Sequence, residues 1–443
     1  MPRSGASRKE SGDLEPRAET DSRGRPYLAA PPILHAEGRA DGAKILHELP
    51  GASGLCVYGA LRDLTAWLDI PAESRSALFS LHAGERRSDL LRAVHPDTDL
   101  RAPLAILVEL VVDPVHVDVG RLVHACRRIA AWAEAHDAPG TQLEFIQAAA
   151  RLRPHDAALA VEVGRLARET AQHARAESWF RHAIRTARGT DWRSYAWAYI
   201  GLGVLYIRTG NRPAAEALLD RALRTARRRR VGAAEGAAHH HLFHLTTEAG
   251  RIREGYEHAH AALEAYGTNH PQLPALVHDV GRYWLHLGEH ERAIPLFECV
   301  LGVVPTANDR ALAASNLARA SAGAGLRDRY EAARTTAVEN AGRAQGTYRL
   351  AHAYEALAHA DLSVGEWERA EHAALAALEL ASATGDSEVR LTAESQMEAA
   401  RAARAESTAP TAVESPAVVR QARVLANDLV RVLVPGSAAG TLG

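Results

Sequence analysis

The sequence predicts an all-α solenoid, a fold in which short helical hairpins stack one upon the next. The composition favours this class, because hydrophobic residues make up 47% of the chain but aromatic residues only 5%, a balance typical of helices rich in alanine and leucine. The spacing favours it more strongly. From Val119 onward a short motif that usually begins with a small residue recurs every 34 to 40 residues, and a period of that length is typical of a repeat architecture.

The segment ahead of the repeats is predicted in two parts. Residues 1–42 contain mainly Ser, Gly, Pro, Arg and Glu without a sustained hydrophobic period, which predicts a disordered arm. In residues 43–115, Tyr58, Leu61 and Trp67 fall on one helical face. We expect this second part to be an N-terminal helical cap or a small helical domain, since the first repeat of a solenoid needs its exposed apolar face covered.

The repeats and a closing helix are predicted to occupy residues 116–404. The first residue of the motif in each unit is called here the alignment residue, and a turn residue follows it seven positions later. Five consecutive turn residues are glycine, which is favoured where a helix ends in a left-handed turn. The alignment positions are Ala130, Gly164, Gly203, Phe243, Gly281, Ala318 and Ala358, and the turn positions are Asp137, Ala171, Gly210, Gly250, Gly288, Gly325 and Gly365.

The third unit shows the pattern most clearly. Tyr206 follows Gly203 by three residues, the turn comes at Gly210, and the small residues Ala215 and Ala222 lie in the second helix. In these features the sequence resembles the tetratricopeptide repeat family. The longer units are similar to the repeats of bacterial peptide-sensing regulators and of the sensor arms of large transcription activators. The resemblance implies a right-handed α-solenoid of about seven hairpins with helical caps, whose first helices line a concave groove.

Residues 405–443 are predicted to form a flexible tail with one short amphipathic helix. Ser415 and Pro416 suit the start of a helix, and an apolar stripe runs behind them from Val419 to Val432. We considered two places for this helix. It could fold back onto an exposed apolar end of the array, or enter the groove as an internal competitor.

The candidate binding residues are those that helical periodicity turns towards the groove. They lie three positions before, one after and five after each alignment residue, with one aromatic residue a turn earlier. Arginine and histidine predominate and acids are few, which indicates an acidic peptide or a C-terminal carboxylate as the ligand. The candidates are Arg127, Arg165, Trp197, Arg208, His240, His244, Glu248, His278, Arg282, His286, Arg319, Glu355 and His359.

Two other interpretations of the groove were weighed. An arginine-rich chain places arginine on any solvated face, so the pattern does not by itself require a ligand. His240 and His244 are four residues apart with Glu248 a further turn on, a spacing that suits a metal ion. Histidines are scattered along the whole chain and the spacing lacks the glutamate of an HExxH motif, so we predict no metal site. A groove that gains positive charge as the pH falls is the favoured role for these histidines.

Arg221, Arg224 and Arg227–Arg230 form a basic cluster that could indicate nucleic-acid binding. Cations at a helix C-terminus are stabilised by the helix dipole, however, and the sequence shows no neighbouring aromatic residues or groove-entering motif. With a net charge of −2, the chain is predicted to bind neither nucleic acid nor membrane. The tripeptide His95–Asp97 resembles that of J-domains, but the helix before it lacks their basic face.

Catalytic motifs and targeting signals are missing from the sequence. Neither Lys9 nor Lys44 follows a glycine, so there is no Walker A loop, and no nucleophile elbow or dinucleotide fingerprint is found. Three distant cysteines favour a reduced protein, and the longest apolar run, Leu104–Val112, contains a glutamate and is too short to span a bilayer.

We therefore expect a cytoplasmic scaffold or adaptor without catalysis or cofactor. It would bind an acidic protein or peptide partner of unknown identity, with the oligomeric state left open. The alternative is a peptide-sensing regulatory module that changes superhelical shape on binding and acts through a partner protein.

Overall fold

The computed structural model describes residues 42–94, 99–136, 138–344, 347–403 and 416–433. Within these ranges the regular elements are helices and no strand is present, so the predicted all-α solenoid is confirmed. None of the described helices is both long and apolar enough to cross a lipid bilayer. The predicted disordered arm up to residue 41, the His-Pro-Asp tripeptide, the turn residue Asp137 and the linker 404–415 lie outside the described residues.

The chain begins with a helical segment that docks on the first hairpin. Glu48 makes the connection, because its carboxylate accepts hydrogen bonds from the backbone N–H groups of Gly140 and Thr141 at 2.7 and 2.8 Å and so caps the helix that begins there. The elements of this segment are α1 Gly42–Glu48, α2 Gly51–Asp69, a short 3-10 helix Ala72–Ala77, α3 Ala83–Arg92 and α4 Arg101–Val112.

Seven hairpins follow, each made of a first and a second helix. They are α5 Val119–Ala135 with α6 Pro139–Leu152, α7 Ala157–Glu169 with α8 His173–Ala187, α9 Trp192–Arg208 with α10 Arg212–Arg229, α11 Gly232–Glu248 with α12 Ile252–Tyr266, α13 Leu273–His286 with α14 His290–Val303, α15 Ala307–Gly323 with α16 Arg327–Ala341, and α17 Thr347–Ser363 with α18 Trp367–Thr384. Two further helices complete the chain, α19 Ser387–Ala402 and α20 Pro416–Leu433.

The turns inside the hairpins have a left-handed backbone. The five predicted glycines all have positive φ, between 72° and 80°. In the second hairpin the same position is Ala171, with φ of 60°. A residue with a Cβ atom is strained in this conformation, which explains the preference for glycine here.

The two helices of a hairpin pack closely because small residues stand at the alignment positions. A Cβ atom added at Gly164 would lie 2.7 Å from the ring of Phe180, and one added at Gly281 would lie 2.8 Å from the ring of Phe297. Both rings come from the second helix of the same hairpin and are buried. The phenylalanine therefore occupies the space that a larger first-helix residue would need.

The hairpins are arranged in two layers. First helices also pack against the first helices of neighbouring hairpins, as α7 does on α9 and α15 does on α17. The first helices are therefore the inner layer of a curved array, and the second helices are the outer layer.

The amphipathic helix α20 packs on the middle of the array. It contacts α12, α13 and α14, and its buried side chains Ala422, Leu425 and Leu429 join the same apolar cluster as Phe297 of α14. The proposed position at an end of the array is therefore wrong, because α20 packs on its middle. It lies against the outer helices of the fourth and fifth hairpins and against the first helix α13.

The left-handed turn at Ala171 gives a prediction about stability. Ala171→Gly should raise the free energy of unfolding by about 1 kcal/mol, because it removes the Cβ strain. Gly250→Ala should lower it by a similar amount, since no atom within 4 Å would contact the new methyl group and only the backbone conformation is affected. Urea unfolding measures both, and a loss of stability in Ala171→Gly would contradict this assignment.

The packing of α20 gives a second prediction. Leu429→Ala should lower the free energy of unfolding by about 2–4 kcal/mol, because Leu429 is fully buried and its truncation leaves a cavity. Val424→Ala on the same helix is the matched control, with an expected loss below about 0.5 kcal/mol because Val424 is half exposed. Equal effects of the two changes would show that α20 does not pack in this way.

Candidate functional site

His240 and His278, both three positions before their alignment residues, lie between first helices. His240 of α11 is 6% exposed, and its Nε2 is 2.9 Å from the carboxylate of Asp279 on α13. His278 of α13 bonds in turn to Asn316 of α15 at 3.1 Å. In the third hairpin this position holds Ile200, which is also buried. His240 and His278 therefore tie neighbouring helices together and do not present their rings to a groove.

Five other candidates do come together on the inner surface of α13, α15 and α17. The group, named here the basic wall, consists of Arg282, His286, Arg319, Glu355 and His359. The side chain of Arg319 is 19% exposed, and its closest carboxylate oxygen belongs to Glu355 at 3.9 Å, beyond hydrogen-bond distance. Its Nε has no hydrogen-bond acceptor among the described residues.

Arg282 of the basic wall is held in a similar way. Its guanidinium lies 3.9 Å from the carboxylate of Glu248, again too far for a hydrogen bond, and a quarter of its side chain is exposed. Two guanidinium groups of the inner surface thus keep unused hydrogen-bonding capacity.

The candidates of the first three hairpins have separate environments. Arg127 is exposed on α5, Arg165 pairs with Glu169 at 2.7 Å, and Trp197 packs half-buried against the core of its own hairpin. Arg208 donates to the backbone carbonyl of Arg168 at 3.1 Å. These residues do not join the basic wall.

The array curves far enough for its closing helix to meet its early hairpins. A Cβ atom added at Gly210, in the α9–α10 turn, would lie 3.2 Å from the hydroxyl of Ser387 at the start of α19. The adjacent Arg212 pairs with Glu388 of α19 at 3.3 Å. The inner surface is therefore enclosed by this crossover and is narrower than an open groove.

A polar cluster stands at this crossing. The crossover cluster consists of Arg212, His244, Glu248 and Glu388. His244 lies 3.0 Å from Glu248, and Arg212 bridges Glu248 and Glu388 at 3.2 and 3.3 Å. Burial raises the pKa of both glutamates, and the charge of Glu248 raises the pKa of Glu388 further. Arg212 and Arg282 oppose both shifts.

The crossover cluster has the donor set of a metal site. The ligand atoms of His244, Glu248 and Glu388 all lie within 4.8 Å of one another, and one imidazole with two carboxylates suits a divalent transition metal. Arg212 bridges the two carboxylates, however, and supplies the positive charge that they need. His240 is not part of this set, because it is bonded to Asp279.

Sequence reasoning missed several acids of the inner surface. Asp279 receives hydrogen bonds from two histidines but lies outside the offsets used to select candidates. Glu388 of the closing helix reaches Arg212 of the third hairpin through curvature, and Asp386, which caps that helix, pairs with His352 of α17. These carboxylates offset part of the arginine charge of the inner surface.

The histidines of the inner surface are held neutral. Burial, together with nearby arginine charge, lowers the pKa of His244 to about 4 and that of His359 to about 3. The expected gain of positive charge on mild acidification therefore does not apply to these two groups, which stay unprotonated until well below pH 5.

The cavity that contacts the candidate residues is small. Beside the basic wall a cavity of only about 10 Å³ lies among His244, Arg282 and His286. A larger one, of about 540 Å³, lies at the edge of the array between the loop before α7 and the α8–α9 turn. Ligand contacts on the inner surface would therefore be made along a wall and not inside a deep pocket.

Comparison with known proteins agrees with this architecture. Residues 155–228, which span the second and third hairpins, match the model of the tetratricopeptide repeat. These two hairpins are tetratricopeptide repeats. Repeats of this family generally mediate protein–protein interaction and scaffolding. A search of curated proteins by sequence returns no match.

A search of solved structures also returns helical-repeat proteins. The Cut9–Hcn1 hetero-tetramer of the APC/C is 14% identical with a TM-score of 0.42, over 79% of this chain and 62% of that one. A signal transduction ATPase with a tetratricopeptide repeat sensor from Pyrococcus horikoshii is 14% identical, with a TM-score of 0.39 over 84% and 64%. The yeast Sti1 TPR2AB domain in its pHSP90 complex is 16% identical, with a TM-score of 0.25 over 64% and 99%. At these values the similarities carry no conclusion about partners.

The depressed pKa of His359 predicts how stability depends on pH. Unfolded histidine binds a proton near pH 6.5, whereas folded His359 stays neutral down to about pH 3, so acidification through this window favours the unfolded state. His359→Gln should therefore lose less stability than the wild type between pH 7 and 4.5, by about 1–2 kcal/mol. Urea unfolding at both pH values tests this, with the exchange of the exposed His116 as control. If His359→Gln lost as much unfolding free energy as the wild type between these two pH values, the prediction would be wrong.

Proposed function

We propose that this protein is a cytoplasmic scaffold or adaptor that binds an acidic peptide or helix of a partner protein along the basic wall, without catalysis. The observation that carries the proposal is the state of Arg282 and Arg319. Both guanidinium groups stand 3.9 Å from their closest carboxylates, and the Nε of Arg319 lacks an acceptor. A peptide carboxylate would complete these hydrogen bonds, and charge-assisted bonds of this kind are among the strongest in proteins.

The rigidity of the wall supports the same role. The three helices that carry it are tied by buried polar contacts, among them His278 to Asn316 at 3.1 Å. Residues on packed helices lose little freedom when a ligand arrives, so more of the contact energy is available for affinity. The free cysteines, of which Cys56 and Cys126 are buried, suit a reducing compartment such as the cytoplasm.

A peptide-sensing regulatory module is the second candidate, and the crossover favours it. The contact between α19 and the early hairpins depends on ion pairs such as Arg212 with Glu388, whose side chains are 40% and 34% exposed. Partly solvated ion pairs contribute little stability, so a ligand at the basic wall could open the crossover at low cost. Small-angle scattering with and without peptide separates the candidates, since only the regulatory module changes its radius of gyration.

The binding proposal predicts an effect of Arg319. Fluorescence anisotropy with a labelled library of acidic peptides should show saturable binding, weakened at least about tenfold by Arg319→Gln, because a hydrogen bond to a charged group is lost. Arg253→Gln is the matched control, since Arg253 lies on the outer helix α12 with 79% of its side chain exposed. Equal affinity of Arg319→Gln and Arg253→Gln, or no binding by the wild type, would refute the proposal.

A further inference from the structure

Arginine is concentrated at one edge of the second and third hairpins. The group, named here the basic edge, consists of Arg153, Arg185, Arg188, Arg193, Arg221 and Arg229, all of them exposed. In the part of the chain that the structure describes, no carboxylate forms an ion pair with any of the six. Some arginines elsewhere do form such pairs, as Arg251 does with Glu216 and Arg327 with Glu331. The basic edge is therefore a local region of positive charge, although the net charge of the chain is −2.

Aromatic side chains stand among these arginines. The guanidinium of Arg229 lies over the ring of Trp192 at 3.9 Å from its centroid, and that of Arg221 is 5.4 Å from the ring centroid of Tyr199. Trp192 and Tyr199 are both half-buried, so part of each ring stays accessible. The sequence-based argument that the basic cluster lacks neighbouring aromatic residues is therefore wrong. These rings belong to α9, and the later part of α10 lies beside them because the two helices of this hairpin are antiparallel.

The larger cavity opens on the same edge. Its volume is about 540 Å³, and its lining includes Arg153, His155 and Thr190. The two carboxylates in the lining, Asp156 and Asp191, are already engaged, because each caps a helix by accepting a backbone N–H bond. Of the basic edge, Arg153 lines this cavity, and among the described residues neither Asp156 nor Asp191 forms an ion pair with it.

The helix dipole alone does not explain the basic edge. Arg185 and Arg229 are near helix C-termini, where a cation is favoured. Arg193 is the second residue of α9, at the helix end where the dipole disfavours a cation, and Arg221 lies in the middle of α10. Arg221 has a local contact, because it donates a hydrogen bond to the hydroxyl of Tyr195 at 3.1 Å, so of these four arginines Arg193 is the one without a local explanation.

We propose that the basic edge binds single-stranded nucleic acid. The guanidinium groups would neutralise successive phosphates, and the rings of Trp192 and Tyr199 would contact exposed bases, the combination by which sequence-tolerant single-strand binding operates. An anionic membrane is disfavoured, because the described residues of this edge include no large exposed apolar side chain to enter the lipid. The site is on a different surface from the basic wall.

The first experiment measures binding by the full chain. A fluorescein-labelled 20-nucleotide oligo(dT) should bind with a dissociation constant on the order of 1–100 μM at 50 mM salt. The slope of log K against log salt should be about −4, because six contacts to a single strand contribute roughly −0.7 each. Absence of saturable binding at 50 mM salt would overturn the proposal. Equal affinity for the corresponding duplex or for polyglutamate would also overturn it, since the edge would then be a general anion surface.

The second experiment assigns the surface. The triple variant Arg188→Gln/Arg193→Gln/Arg229→Gln should lower affinity on the order of 100-fold at 0.1 M salt and reduce the slope by about 2, as expected for three lost phosphate contacts. A control triple removes the same charge elsewhere, with Arg86→Gln/Arg253→Gln/Arg431→Gln, all exposed positions. Equal losses in the two triples would overturn the assignment.

A third variant separates this proposal from the role of the basic wall. Arg319→Gln should leave oligo(dT) binding unchanged, whereas Tyr199→Leu should weaken it several-fold without changing the salt slope, because stacking carries no counterion release. Circular dichroism checks that Tyr199→Leu is folded. Loss of oligo(dT) binding in Arg319→Gln would overturn the location at the basic edge.

Discussion

The whole architecture depends on a left-handed turn that connects the two helices of each hairpin. Five glycines in succession take positive φ at this turn, and Ala171 takes it at a cost in strain. The turn reverses the chain tightly enough for the second helix to place a phenylalanine ring against a glycine of the first, as Phe297 does against Gly281. Because each hairpin has the same closed form, the hairpins stack with a constant curvature.

Curvature then determines which side chains meet. Residues one position after the alignment residue face the inner surface, where Arg282 and Arg319 lie with spare donors. Three residues at the position three before it, Ile200, His240 and His278, are buried instead. Accumulated over seven hairpins, the curvature also brings Glu388 against Arg212, although the two residues are far apart in the sequence.

The fold could be predicted from the sequence because its determinants are local and repeated. Turn glycines and small residues at fixed offsets suffice for the hairpins, so the array was predicted correctly. The candidate site was predicted less well for a physical reason. Offsets within one helix give the direction of a side chain but not what lies opposite it, and for His244 that is Glu388 of the closing helix. Asp279, Trp192 beside Arg229, and the position of α20 likewise depend on contacts between distant segments.

The distribution of carboxylates separates the two charged surfaces. On the inner surface, arginines and acids are interleaved across neighbouring helices, and Arg282 and Arg319 keep unused donors, which suits a ligand that makes a few directed contacts. On the basic edge none of the described carboxylates forms an ion pair with the arginines, and the charge is spread over neighbouring hairpins. Unpaired arginines distributed over a surface bind an extended polyanion through counterion release, with little selectivity for its sequence. One array of hairpins can therefore carry a selective inner surface and a less selective edge. The side chains of the first helices form the inner surface, and arginines of the second and third hairpins form most of the edge.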